Sequence, residues 1–188
     1  MTRVPRVLVP LAEGFEEIEA VAIVDVLRRA DVEVLVAGLT AGPVRGSHGI
    51  ALETDVLLDD VDPASLAMVV LPGGQPGTDR LKGDPRVLAI VRQLESSGRT
   101  VAAICAAPMV LAEAGVLEGR QATSHPSVRD RLAGATVVAE PRVVRAGRVL
   151  TSQGPGTAIE FALEIVRELR GEERARGLGA AMLVAVPV

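Results

Sequence analysis

Val101–Ala102–Ala103–Ile104–Cys105–Ala106–Ala107–Pro108 (VAAICAAP) is an apolar run that ends on the only cysteine of a 188-residue chain. The run is continuous rather than alternating, the pattern of a strand covered on both faces of a parallel sheet. Pro108 sits where the first turn of a helix tolerates proline. The stretch therefore predicts a strand, a tight turn and a helix, with the thiol at the carboxyl edge of a sheet, where open α/β folds place their sites.

Working outward, three further runs have the same continuous character: Val7–Leu11, Val32–Ala37 and Ala67–Leu71. The segment Glu16–Ala30 between the first two has helical length. It opens with Glu16, Glu17 and Glu19 and closes with Arg28 and Arg29, an order that suits the helix dipole. Arg86–Glu95, Met109–Ala114 and Thr157–Arg170 also predict helices, with another running on through Met182. Strand and helix alternating in this way predict an α/β fold with right-handed crossovers and a doubly wound sheet. The glycine-broken piece Pro43–Asp55 predicts a small hairpin excursion on the sheet edge, and Val143–Leu150 a second hairpin turning at Gly147. With no repeat, low-complexity tract or Ser/Gly-rich linker, residues 1–188 are expected to form a single domain.

Composition narrows the function classes. A formal charge of −4, with no block of like charge, gives no attraction for nucleic acid or anionic membrane. The absence of Trp and Tyr leaves only Phe15 and Phe161 as stacking platforms, so specific nucleic-acid binding is not expected. No N-terminal stretch resembles a secretion signal, and the apolar stretch Ala180–Val188 is too short to span a bilayer. One cysteine excludes an internal disulfide and fits a reducing, cytoplasmic setting. Cys105 and the two histidines also lack zinc-ligand spacing, so no metal is expected.

Three local features bear on chemistry. At the elbow, amides at the start of a helix would aim at the Cys105 sulfur, lower its pKa and favour thiolate; a lone cysteine on an apolar strand is also a common small core residue. Leu71–Pro72–Gly73–Gly74–Gln75–Pro76–Gly77 follows a strand, and its glycines free backbone N–H groups that, with the Ala106 amide, would form an oxyanion hole. A plain strand-end turn gives the same dipeptide. It is not a phosphate-binding loop, because no Gly-Lys-Ser/Thr follows and Lys82 is the only lysine. The third feature pairs Glu19 with His125. Glu19 lies in the first turn of a helix above the sheet edge, where an apolar surround would raise its pKa and let it share a proton with a thiolate. His125, in Thr123–Ser124–His125–Pro126, is placed to orient or exchange a proton. Glu16 and Glu17 read as solvated, dipole-favouring carboxylates, and His48 in its glycine-rich turn as unspecific.

Taken together, Glu13–Glu19 (EGFEEIE), Val70–Gly74 (VLPGG), Ala102–Pro108 (AAICAAP), Ser124–Pro126 (SHP) and Leu150–Thr157 (LTSQGPGT) resemble the ThiJ/PfpI superfamily. Within it they resemble the branch of the Parkinsonism-associated protein deglycase and the bacterial YajL/ThiJ proteins. The resemblance implies a flavodoxin-like three-layer sandwich, with a mostly parallel central sheet and helices on both faces, usually as a homodimer; the first helix is a candidate for the interface. It implies Cys105 as nucleophile, Glu19 as its hydrogen-bonding glutamate and His125 as the nearby histidine. Gly73, Gly74 and Ala106 take the place of the oxyanion-binding backbone, and no cofactor is implied. The last helix would be the branch's extra C-terminal element, partly covering the site. The implied activities are glyoxalase III action on methylglyoxal and repair of early glycation adducts, with a small dicarbonyl or glycated molecule as substrate. A redox-sensing, protective or chaperone-like role working through oxidation of Cys105 is the alternative. Two departures from the family pattern stand out: Cys105 has no second cysteine as resolving thiol, and the elbow reads Cys-Ala-Ala-Pro where some members have Cys-Ala-Gly-Pro.

Overall fold

The computed structural model describes residues 4–184. β1 (Arg6–Leu11) leads through α1 (Glu17–Arg29) to β2 (Glu33–Gly38), and a hairpin of β3 (Val44–Arg45) and β4 (Ala51–Leu52) precedes β5 (Val56–Leu57). β6 (Met68–Leu71) is followed by α2 (Gly77–Gly83) and α3 (Pro85–Ser96), and β7 (Thr100–Ile104) by α4 (Pro108–Glu113). β8 (Gln121–Ala122) and β9 (Thr136–Val137) make a small parallel pair. The chain finishes with the hairpin of β10 (Val143–Ala146) and β11 (Val149–Ser152), then α5 (Ala158–Arg170) and α6 (Glu172–Ala181).

The central sheet runs β10-β11-β7-β6-β1-β2-β5, and only β10 is antiparallel to its neighbour. The apolar runs are continuous because both faces of this sheet are covered. Along β7, Val101 and Ala103 face a core completed by α3 and α4, through residues such as Val91, Leu94, Val110 and Leu111. Ala102 and Ile104 face the opposite core, built with Ile23 and Leu27 of α1 and Phe161 and Ile165 of α5. Each fully buried Val, Leu or Ile contributes about 1.5–3 kcal/mol of transfer free energy. These two cores on opposite faces give the flavodoxin-like α/β sandwich.

α1 starts where its carboxylates begin: Glu16 is the N-cap and its side chain accepts from the Glu19 N–H at 2.8 Å. Its carboxyl end carries Arg28 and Arg29, as the dipole favours. The Val143–Leu150 hairpin turns at Gly147, with φ of 63°. The Pro43–Asp55 excursion forms the expected hairpin, as a two-stranded ladder of its own, and β5 directly after it is the edge strand of the sheet. The helix α2 was not expected, because its sequence, GTDRLKG, contains a single large apolar residue, Leu81, and no amphipathic period. No helix among the described residues is long and apolar enough to cross a membrane.

Candidate active site

The strand β7 ends in a conformational outlier. Cys105 has φ of +65°, in the left-handed region that L-residues other than Asn and Asp seldom occupy. Three bonds hold it there. Its N–H donates to the Ser152 carbonyl at 3.0 Å, its carbonyl accepts from the His125 N–H at 2.8 Å, and the Ala107 N–H closes the turn onto the Ile104 carbonyl at 3.0 Å. A strained residue held from β11 on one side and the Ser124–Pro126 loop on the other is the arrangement expected of a functional elbow. The side chain is half-buried.

The Leu71–Gly77 loop closes over the sulfur from β6. Gly74 has φ of +94°, and a Cβ there would collide with the Phe15–Glu16 backbone. At Gly73 a Cβ would lie 2.7 Å from Cys105 Cβ and 2.9 Å from Glu19 Oε2. Glycine is needed at both positions to bring this backbone against the thiol. The Gly74 and Ala106 N–H groups both favour the thiolate, lowering the Cys105 pKa. The Gly73 N–H does not join them: it donates to Glu19 Oε2 at 2.8 Å. Gly74 and Ala106 thus serve the sulfur, with Gly73 holding the carboxyl in place.

Glu19 is fully buried. Its second oxygen, Oε1, has no well-formed hydrogen bond, while the carboxyl as a whole couples to the Cys105 side chain. Burial pushes the carboxyl up to about 7, against the pull of the Gly73 N–H and the thiol. A proton on Glu19 at neutral pH gives the orphan oxygen a donor to share.

The thiol departs from the expected direction. The Ala106 and Gly74 amides do lower its pKa, but burial and then the Glu19 carboxylate outweigh them and push it up to about 12. The two groups are one coupled system. Moving the thiol proton onto Glu19 removes the carboxylate charge that opposes thiolate.

His125 reaches this centre through its backbone. Its ring is exposed, and Nδ1 bonds to Ser127 Oγ at 2.8 Å. The structure therefore brings Cys105, Glu19, Gly73, Gly74 and Ala106 together, with His125 at the rim.

The DJ-1/PfpI family model matches residues 5–168. The chain belongs to the DJ-1/PfpI family. It is similar to Drosophila melanogaster protein dj-1beta, at 43% identity over 95% of this chain and 96% of that one. The crystal structure of that fly protein superposes with a TM-score of 0.94 at 42% identity, covering 98% of this chain and all of the other. Arabidopsis thaliana protein DJ-1 homolog A is also 43% identical over 96% of this chain, which spans about half (46%) of that longer protein. A Caenorhabditis elegans relative, 39% identical over 88% of this chain and 89% of its own length, bears the name glutathione-independent glyoxalase DJR-1.2.

In this DJ-1/PfpI chain several supporting residues escaped the sequence reading. Glu16 is buried, caps α1 and ties it to the glycine loop through its N–H, which donates to the Gly73 carbonyl at 2.9 Å. Glu17 is not solvated either: it is buried and accepts from the His48 N–H at 2.6 Å and Ser47 Oγ at 3.3 Å, and pairs with His48 Nδ1 at 3.0 Å. His48 is therefore specifically engaged. Glu16, Glu17 and His48 have ligand atoms within 4.8 Å of one another, the one group among the described residues able to hold a metal. Its oxygens already accept from α1 and the hairpin, which makes it a structural clamp. In the Leu150–Thr157 motif, Thr157 Oγ1 bonds to Ser152 Oγ at 2.7 Å and accepts from the Gly154 N–H at 3.1 Å, fixing the end of β11 that supports Cys105. A Thr at the close of QGPGT was the available signal for that role.

Proposed function

We propose that this DJ-1/PfpI protein is a cysteine-dependent, cofactor-free enzyme acting on reactive dicarbonyls, converting methylglyoxal to lactate. The observation that carries the proposal is the buried Glu19 carboxyl, pushed up to about 7, coupled to a thiol on a strained elbow faced by two backbone N–H groups. The glyoxalase name of the Caenorhabditis relative supports the same reaction class.

From the state with the thiol proton held on Glu19, the Cys105 thiolate bonds to the aldehyde carbon and the carbonyl π pair moves to oxygen, facing the Gly74 and Ala106 N–H groups. Glu19 returns the proton, giving a hemithioacetal. The hydrogen on that carbon then leaves as a proton to the Glu19 carboxylate, and the bonding pair passes through to the ketone oxygen, giving an enediolate. Glu19 returns that proton to the neighbouring carbon while the hydroxyl proton of the first carbon moves to the second oxygen, yielding a lactoyl thioester. Water cleaves it, releasing lactate and restoring the thiol. The aldehyde carbon is oxidised while the ketone carbon is reduced, so methylglyoxal plus water balances lactate without an external oxidant. Early glycation adducts at the same aldehyde oxidation level are open to the same attack.

The test is lactate formation from methylglyoxal by purified wild type, Cys105→Ser and Glu19→Gln. Activity is expected to vanish in Cys105→Ser; full activity in that variant ends the proposal. The second reading, a redox sensor, draws on the same thiol: without an internal resolving cysteine, oxidation by peroxide proceeds to sulfinate, held by the same carboxyl and amides. Intact mass after peroxide titration, showing two added oxygens confined to Cys105, together with no lactate from folded wild type, would favour it.

Homodimerisation is part of the proposal. Ile18 and Val21 on α1 and Ile50 of the hairpin are 60%, 46% and 57% exposed, an apolar strip that a second copy would cover. Sedimentation of wild type against Ile18→Glu tests it, with a dimer falling to monomer as the expected result.

A further inference from the structure

A cavity lies beside the loop that follows β1. Its volume is about 510 Å³, within the range of small-molecule sites, and neither Cys105, Glu19, Gly74 nor Ala106 lines it. It opens at the carboxyl ends of β1 and β2, with Leu11, Leu39 and Val44 in its wall. Such crevices at the carboxyl edge of an open parallel sheet are where α/β folds bind ligands.

Its polar wall is unusual for a chain of net charge −4: Arg45, Arg80 and Arg86 come to it from three separate elements. They are not equivalent. Arg86 is saturated, giving bonds to Asp84 (3.0 and 2.6 Å), Asp59 (2.8 Å) and the Leu39 carbonyl (3.2 Å). It is a strut. Arg80 uses only Nη1, on Glu13 Oε2 at 2.8 Å and the Glu13 carbonyl at 3.3 Å. Arg45 gives one bond, to the Gly49 carbonyl at 3.2 Å, and pairs with no carboxylate among the described residues. Of these two guanidinium groups with donors to spare, only Arg80 is paired with a carboxylate, beside an apolar floor. That is a wall with unspent capacity for an oxyanion, since guanidinium forks match carboxylate and phosphate geometry.

We infer that this cavity is a second binding site, for a small organic anion whose carboxylate or phosphate group sits against Arg45 and Arg80 and whose apolar part rests on Leu11 and Val44. The site is independent of the thiol chemistry.

The test is NMR titration of the full chain with lactate, glycerol 3-phosphate and inorganic phosphate at constant ionic strength, with sodium chloride as the control. Saturable shifts are expected at the Thr40, Arg45 and Arg80 amides. Affinity should fall about tenfold in Arg45→Gln and in Arg80→Gln, the loss of one charge-assisted pair, and be unchanged in Cys105→Ser. Saturation by lactate alone assigns a carboxylate ligand, and saturation by the two phosphates alone a phosphate ligand. Shifts that never saturate, that chloride reproduces, or that persist unchanged in Arg45→Gln overturn the inference. Arg80 steadies Glu13, so Arg45→Gln is the deciding variant; its one bond is to an exposed turn. Retention of binding in Cys105→Ser keeps this result separable from the fate of the proposed reaction.

Discussion

Glu17 and Glu19 stand two residues apart in the first turn of one helix, both buried, and their pKa values are shifted in opposite directions. Burial pushes both carboxyls up, but Glu17 ends at about 2 and Glu19 at about 7. The difference lies in what each was given in exchange for water. Glu17 meets the turn of the β3–β4 hairpin, where the His48 side chain, the His48 N–H and the Ile50 N–H stabilise its charge. Glu19 meets a single well-formed donor, the Gly73 N–H, and a thiol. Donor supply rather than depth of burial separates a structural anion from a carboxyl that keeps its proton, and one helical turn presents one of each.

The largest effect follows from removing the proton-holding member. Glu19→Gln keeps the shape and an acceptor for Gly73 but cannot exchange a proton, so lactate formation should fall by about 10²–10⁴-fold. The same variant has a stability signature. A carboxyl whose pKa is raised on folding binds more protons folded than unfolded, so wild type loses stability as pH rises from about 4.5 to about 7. The loss is about 3 kcal/mol at most, from the size of the shift. Glu19→Gln should therefore gain on wild type in Tm at pH 8, with the gain shrinking toward pH 5. A Tm difference that does not change with pH would show Glu19 ionised throughout.

Glu17→Gln should act with the opposite sign. Its lowered pKa contributes stability that is present above about 4.5 and is lost as pH falls toward about 2. Replacing this anion leaves hairpin donors without a charged acceptor, a cost of about 2 kcal/mol at pH 7. Denaturant melts of the two variants should converge on wild type from opposite sides: at pH 8 Glu19→Gln exceeds wild type and Glu17→Gln falls below it, and both gaps narrow at pH 4. Parallel shifts in both would erase the distinction between the two carboxyls.

This contrast also marks how far the sequence could be read. Val7–Leu11 and Val101–Ile104 were legible because two-sided burial leaves an unbroken apolar run. Cys105, with its following small residues and Pro108, announced a turn. Glu19 could be singled out among three neighbouring glutamates only through its motif and its place above the sheet edge. The Glu17 nest could not be read, because it depends on a hairpin thirty residues away docking its turn on α1, and His48 in a glycine-rich loop carries no local sign of a partner. The thiol misled for a related reason: helix-start amides are visible in sequence, but the opposing burial and the charge of Glu19 arise only when α1 meets β7. The commitment of the Gly73 N–H to Glu19 was hidden likewise, since adjacent glycines look interchangeable until one is given a partner.

The smallest effects test the nest itself. Gly46 lies under the Glu17 side chain, and a Cβ built there would collide with the carboxyl group. Gly46→Ala should push Glu17 off its donors and cost about 1 kcal/mol, part of the Glu17→Gln penalty, without altering Glu19. His48 reports the same event from the other side. Its ring is exposed, and the hydrogen bond and charge of Glu17 hold its pKa above the ordinary histidine value. An NMR titration of the His48 ring should therefore show a raised midpoint in wild type that drops toward the ordinary value in Glu17→Gln and in Gly46→Ala. In Glu19→Gln it should stay put, because that carboxyl faces Gly73 and Cys105. A His48 midpoint that follows Glu19→Gln instead would mean that the two carboxyls are one electrostatic unit and that donor supply does not separate them.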